Sequence, residues 1–156
     1  MITLAIDPGA RGAFAWVNSI GELIDVEDMP IVEARGKRRL SAAGVADLMR
    51  RHPVGKVVIE GVGSMPGQGV ASSFSFGYGA GILEGAAAGL GLPVEIVFAA
   101  AWKRRANVPR DKGASRQMAQ RAWPRTAKWF SRVKDDGRAE AALLARWAGG
   151  SGMPGW

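Results

Sequence analysis

The sequence contains no cysteine and a single histidine in 156 residues. The first absence excludes disulfide staples, iron–sulfur clusters and thiolate zinc sites. The second leaves almost no material for an imidazole metal cage or a histidine-dependent triad. His52 stands before Pro53, between a helix-like and a strand-like stretch, and reads as a loop residue. A signal peptide is also missing, because Asp7 interrupts the first apolar run after a few residues, and a cytoplasmic location is expected. The one long apolar segment, from about residue 70 to 90, carries Glu84 and many glycines, which speaks against a membrane span.

What is present is an ordinary globular composition, 47% hydrophobic and 22% charged, in a chain long enough for one domain with a substantial core. The domain is expected over residues 1–148, and the glycine-rich 149–156 reads as a flexible tail. Charge is unevenly placed. Residues 1–101 carry 8 basic and 10 acidic side chains, and residues 102–156 carry 13 and 4, so the net charge of +7 resides in the second part. Such asymmetry points to a polyanion, nucleic acid before membrane. Lys103, Arg104, Arg105, Arg110, Lys112 and Arg116 are the candidate phosphate contacts. Trp123, Trp129 and Phe130 interleave with further basic residues, as either base-stacking platforms or buried anchors of a helix.

The run Ile2–Asp7 reads as a central strand, with Ile2, Leu4 and Ile6 on one face and Thr3, Ala5 and Asp7 on the other, closed by Pro8-Gly9. Residues 13–17 and 22–28 continue it as an antiparallel meander. Residues 29–40 read as a polar loop around Arg35-Gly36-Lys37-Arg38-Arg39. Ser41 is placed to cap a helix to about Arg51, and Lys56–Glu60 is a second buried strand ending in a carboxylate. A glycine- and proline-rich loop, 61–69, precedes the long apolar helix, in which Gly77, Gly81, Gly85 and Gly89 recur every fourth residue and offer a bare stripe to the sheet or to a partner helix. Residues 93–98 form a further strand, Ser115–Trp123 a helix, and Asp135 or Asp136 can cap the last helix.

Acids therefore stand at Asp7, Glu60, Asp136 and Glu140, the last two about 6 Å apart on one helical face. Oxygen-only ligation selects a hard cation such as magnesium or manganese. Beside a basic surface this chemistry suggests phosphodiester hydrolysis with two ions roughly 4 Å apart, one generating the attacking hydroxide and one stabilising the leaving 3′ oxygen.

The stretches 6–9 (Ile-Asp-Pro-Gly), 58–61 (Val-Ile-Glu-Gly), 76–85 and 136–141 (Asp-Gly-Arg-Ala-Glu-Ala) together resemble the RuvC-type Holliday-junction resolvases of the RNase H-like superfamily, especially the short phage and prophage forms. The resemblance spans about residues 1–148. It implies an α/β fold, a mixed sheet made of a three-strand antiparallel meander plus two parallel strands, flanked by helices. It further implies a homodimeric crossover junction endodeoxyribonuclease that cuts four-way DNA symmetrically with two Mg2+ or Mn2+ ions per site. Asp7, Glu60 and Glu140 match the family's first, second and last carboxylates. Bacterial members place the third acid three residues before the last, where this chain has Gly137, so that role passes to Asp136, with Asp135 as substitute. The glycine-striped helix is the candidate dimer contact. Other RNase H-like nucleases acting on flaps, RNA or RNA–DNA hybrids, a non-catalytic DNA-binding module, and an actin-like kinase half are the competing readings.

Overall fold

The chain is described by a computed structural model that covers residues 1–150 except 35, 62, 64–66 and 68. Arg35 of the basic stretch, most of the loop 61–69 and residues 151–156 of the tail lie outside the described residues.

Among the described residues, five strands form the main sheet. They are β1 (Ile2–Asp7), β2 (Ala13–Asn18), β3 (Leu23–Asp28), β6 (Val54–Gly61) and β7 (Val94–Phe98), in spatial order β3-β2-β1-β6-β7. β1 pairs antiparallel with β2 and parallel with β6, and β6 pairs parallel with β7. This is the mixed sheet expected from the sequence, with β1 at its centre.

The alternation of β1 decides the layers. Leu4 and Ile6 join Phe14, Trp16, Val57 and Ile59 beneath α1 (Ala42–Arg50) and α2 (Val70–Gly89). Ala5 faces the other way with Ala13, Ala15 and Val58, towards α3 (Ala99–Arg105), α4 (Lys112–Ala122) and α5 (Asp136–Ala148). Small side chains on both partners, Ala5, Ala13 and Ala15 against Ala139, Ala142 and Ala145, let α5 lie close over β1 and β2. Caps match local chemistry. Ser41 Oγ accepts from Gly44 N at 3.1 Å, and Asp111 Oδ1 accepts from Ala114 N at 2.7 Å.

One expectation changes and two open alternatives are decided. The stretch 29–40 is not a loop but holds a hairpin, β4 (Ile31–Ala34) with β5 (Lys37–Leu40), in which Glu33 stands opposite Arg38 and Gly36 takes φ +70° in the turn. Its charges hide the pattern: Ile31 and Leu40 face the core as a cross-strand pair, while Lys37 and Arg38 are exposed. Helix α2 buries Gly79, Leu83 and Ala87, so the glycine stripe points away from the sheet. Among the described residues, a Cβ at Gly77, Gly81, Gly85 or Gly89 would meet nothing within 4 Å. Trp123 and Phe130 are core residues, and Trp123 Nε1 donates to the Gly21 carbonyl at 2.9 Å, which removes them as base-stacking platforms.

Candidate metal centre and nucleic-acid groove

Asp7 is the last residue of β1. Ile6 pairs with Ile59, so Asp7 and Glu60 stand side by side at the carboxyl ends of two parallel strands. Alternation points both to the face covered by α5, since Ala5 and Val58 lie two residues earlier on that face. From above, the second turn of α5 supplies Glu140. One oxygen from each of Asp7, Glu60 and Glu140 lies within 4.8 Å of the others.

Three carboxylates this close repel. Burial pushes Asp7 well above the ordinary carboxylate range, and the charges of Glu140 and Glu60 push it further, against the pull of Lys103 and Lys112. Burial also raises Glu60, opposed by a hydrogen bond from Trp102 Nε1 to its Oε2 at 2.8 Å and by the charge of Lys103. Lys103 Nζ sits 2.8 Å from Glu140 Oε1, both side chains being under 15% exposed. Lys103 and the exposed Lys112 do not balance three carboxylates, and a hard divalent cation fits this all-oxygen donor set.

The remaining acids behave differently. Asp136 lines the same groove but is ion-paired to Arg116, with Lys112 Nζ 3.9 Å away, and it stands outside the triad. Its neighbour Gly137 explains the displacement. A Cβ there would lie 2.5 Å from the Arg11 carbonyl and 3.0 Å from Asp7 Oδ2, so α5 can approach β1 only with glycine at this point. An acid three residues before Glu140 is thereby excluded. Asp135, the alternative to Asp136, is engaged elsewhere. It is 1% exposed, accepts from Arg132 N at 2.8 Å and from Arg132 Nη2 at 2.7 Å, and so caps the short 3-10 turn Val133–Asp135.

The groove over the acids encloses about 1200 Å³ and is lined by Asp7, Arg11, Arg38, Lys112, Asp136 and Glu140 among others. Of the six candidate phosphate contacts, Lys112 opens onto the groove, while Arg104, Arg105 and Arg110 are exposed outside its lining. Lys103 and Arg116 are instead committed to Glu140 and Asp136.

Protein-family models and curated protein sequences give no match to the chain. Solved structures do. A Thermus thermophilus RuvC in complex with a Holliday junction substrate superimposes with TM-score 0.70 at 18% identity, over 99% of each chain. The chain has a RuvC-type fold. A second T. thermophilus RuvC structure aligns at TM-score 0.59 and 19% identity, again over 99% of each chain. At such identity the shared RuvC-type backbone carries side chains of this chain's own, and the triad rests on its own geometry. Sequence reasoning missed Trp102 as the partner of Glu60. The available signal was an indole beside Lys103 in an otherwise small and basic stretch, whose N–H needs an acceptor once buried.

Proposed function

We propose that this chain is a metal-dependent, structure-selective endonuclease that resolves four-way DNA junctions by symmetric paired nicking. The observation carrying the reading is the convergence of Asp7, Glu60 and Glu140 oxygens within 4.8 Å at the carboxyl ends of two parallel strands, where Asp7 and Glu140 line a groove. The RuvC-type fold, seen in a protein solved with a Holliday junction, supports the substrate.

Asp7, Glu60 and Glu140 would hold Mg2+ or Mn2+, with Asp136 as a fourth oxygen donor on the groove wall. Bound there, the cations supply Lewis acidity for water attack and for charge on the leaving oxygen. The chain's own groups set the geometry. Trp102 fixes the orientation of Glu60, and Arg116 fixes Asp136. Lys103 holds Glu140 and limits the repulsion. Lys112, 69% exposed, meets a phosphate in the groove, and Arg104, Arg105 and Arg110 neutralise flanking phosphates. Paired nicking needs two copies, and the bare stripe of α2 offers a surface for close helix–helix contact.

Cleavage of a synthetic four-way junction, a flap and an RNA–DNA hybrid, each with Mg2+ and with Mn2+, tests the reading. Paired, cation-dependent nicks in the junction are expected. Faster cleavage of the flap or hybrid assigns another RNase H-like substrate, and no cleavage of any removes the enzyme reading. Gly81→Leu should break a dimer in sedimentation while raising helix propensity by about 1 kcal/mol in the monomer.

A further inference from the structure

The first turn of α5 brings Gly137 against the β1–β2 connection, where a Cβ on it would lie 2.5 Å from the Arg11 carbonyl and 2.9 Å from Gly12 Cα. Gly12 is pressed in turn onto Asp7, since a Cβ on Gly12 would collide with the Asp7 carbonyl. From the strand side, Met29 N donates to the Gly12 carbonyl at 3.0 Å. Gly12 is therefore held between the end of β3 and the start of α5. The residues beside these two contacts, Asp28 and Arg138, meet directly. Arg138 Nε and Nη2 donate to Asp28 Oδ1 and Oδ2 at 2.6 and 2.8 Å, a two-pronged fork that closes a circuit through Gly137, Gly12 and Met29. Arg138 Nε also lies 3.9 Å from Asp135, which accepts from Arg132 in the short turn before α5.

We propose that Arg138 is a positioning residue for the cation site: its fork on Asp28 holds the first turns of α5 down on β1 and so sets how closely Glu140 approaches Asp7. The proposal rests on the metal-dependent reading and deepens it by naming what tunes affinity for the ion. Glu140 follows Gly137 by three residues and shares its helical face, so a lift of α5 at Gly137 carries Glu140 away from Asp7. Without an ion such a lift is favoured, because Asp7, Glu60 and Glu140 repel one another. Gly137 permits the close approach but has no side chain with which to hold it. Lys103 offsets part of the repulsion at Glu140, and the fork resists the rest from the end of β3. Exposed ion pairs usually hold little. This one is two-pronged, the Arg138 side chain is only 18% exposed, and it continues into the Asp135–Arg132 pair. Hydrogen bonds from Arg138 accordingly hold the Asp28 carboxyl below its ordinary range.

The test measures Mn2+ binding to the full chain without DNA, from the electron paramagnetic resonance signal of the free ion, with Asp7→Asn as the blank that defines the triad's site. Arg138→Ala should weaken binding there about tenfold, and Asp28→Asn by a similar factor. The double variant should bind no more weakly than either single one, because each breaks the same contact. Arg138→Lys keeps the charge but not the fork, so its affinity should fall between, and it carries the test if Arg138→Ala does not fold. Arg51→Ala removes a comparable fork, from the end of α1 to β3, and should leave Mn2+ affinity unchanged. With enough Mn2+ to saturate the weakened site, junction cleavage by Arg138→Ala should return to within about threefold of wild type. Unchanged affinity in both Asp28→Asn and the Arg138 variant, or equal weakening in Arg51→Ala, overturns the clamp and leaves the nuclease reading standing. A wild type with no Asp7-dependent Mn2+ binding overturns both. A wild type that binds the ion at the triad but cuts no DNA removes the nuclease reading alone, and the affinities still decide the clamp.

Discussion

At the carboxyl ends of β1 and β6, Asp7, Glu60 and Glu140 face one another with Lys103 against the last of them. On the outer strand β3, Asp25 and Glu27 share Arg51, whose Nη1 lies 3.2 and 2.9 Å from their oxygens, and Asp25 also meets His52 Nε2 at 3.1 Å. Burial acts to raise both Asp7 and Asp25, but the outcomes are opposite. At Asp25 hydrogen bonds from His52 and Arg51 win and hold the carboxyl below its ordinary range. At Asp7 the neighbouring acids add to burial, and the carboxyl is held well above it. The β3 cluster is complete as it stands. The triad is a mutually repelling arrangement that a divalent cation would relieve, and on the proposed reading this separates an acid kept for the fold from one kept for chemistry.

The largest expected break in that comparison is Asp7→Asn. Cleavage of a four-way junction should fall about a thousandfold or more, equivalent to about 4 kcal/mol in the barrier. The same change should stabilise the metal-free protein by about 0.5–2 kcal/mol, because it removes a repelling charge. In chelator the melting temperature should therefore rise, and the stabilisation of the wild type by Mg2+ or Mn2+, about 2.7 kcal/mol at a hundred times Kd, should vanish. A variant that melts lower in chelator and keeps its response to the ion would make Asp7 a structural acid like Asp25.

The same contrast shows what the sequence could carry. Strands with β-branched runs, the central place of Ile2–Asp7 and the ends of α1 and α2 were legible, because periodicity reports burial directly. So was the approach of Asp7, Glu60 and Glu140 to one another, since strand ends and a helix turn fix where a side chain projects. The hairpin β4–β5 was not, because Lys37, Arg38 and Arg39 mask its alternation. Nor were the roles of Asp135, Lys103 and Arg116. Each depends on a partner distant in sequence or on a turn too short to show a period, as the pairing of Lys103 with Glu140 illustrates. The stripe of α2 had the right spacing, but its direction is decided by Leu83 and Ala87, which take the core face.

A smaller effect separates the adjacent acids Asp135 and Asp136. Asp135→Asn removes charge-assisted bonds to Arg132 from a site that is 1% exposed, and should cost about 1–3 kcal/mol of stability with cleavage per folded molecule retained. Asp136→Asn loosens Arg116 and Lys112 at the groove, so cleavage should fall with stability nearly unchanged. Urea denaturation and junction cleavage on both variants decide the matter, and the reverse pattern would place the ligand at Asp135.

The smallest effect is in the pH dependence of stability without metal. The folded protein holds the Asp7 proton more tightly than the unfolded chain, so between the ordinary value of 3.8 and the raised folded value more protons are bound when folded. Stability from this group is fully present below 3.8 and is lost as pH rises through that window. Asp25 works in the opposite sense: its contribution is present above 3.8 and is lost as pH falls through its lowered folded value. Urea denaturation in chelator across this range should show the two slopes, Asp7→Asn removing the first and Asp25→Asn the second. Saturating Mg2+ should erase only the Asp7 slope, because a cation on the triad competes with its proton but finds no role where Arg51 and His52 already stand. Retention of the Asp7 slope in saturating Mg2+ would mean that the ion binds elsewhere.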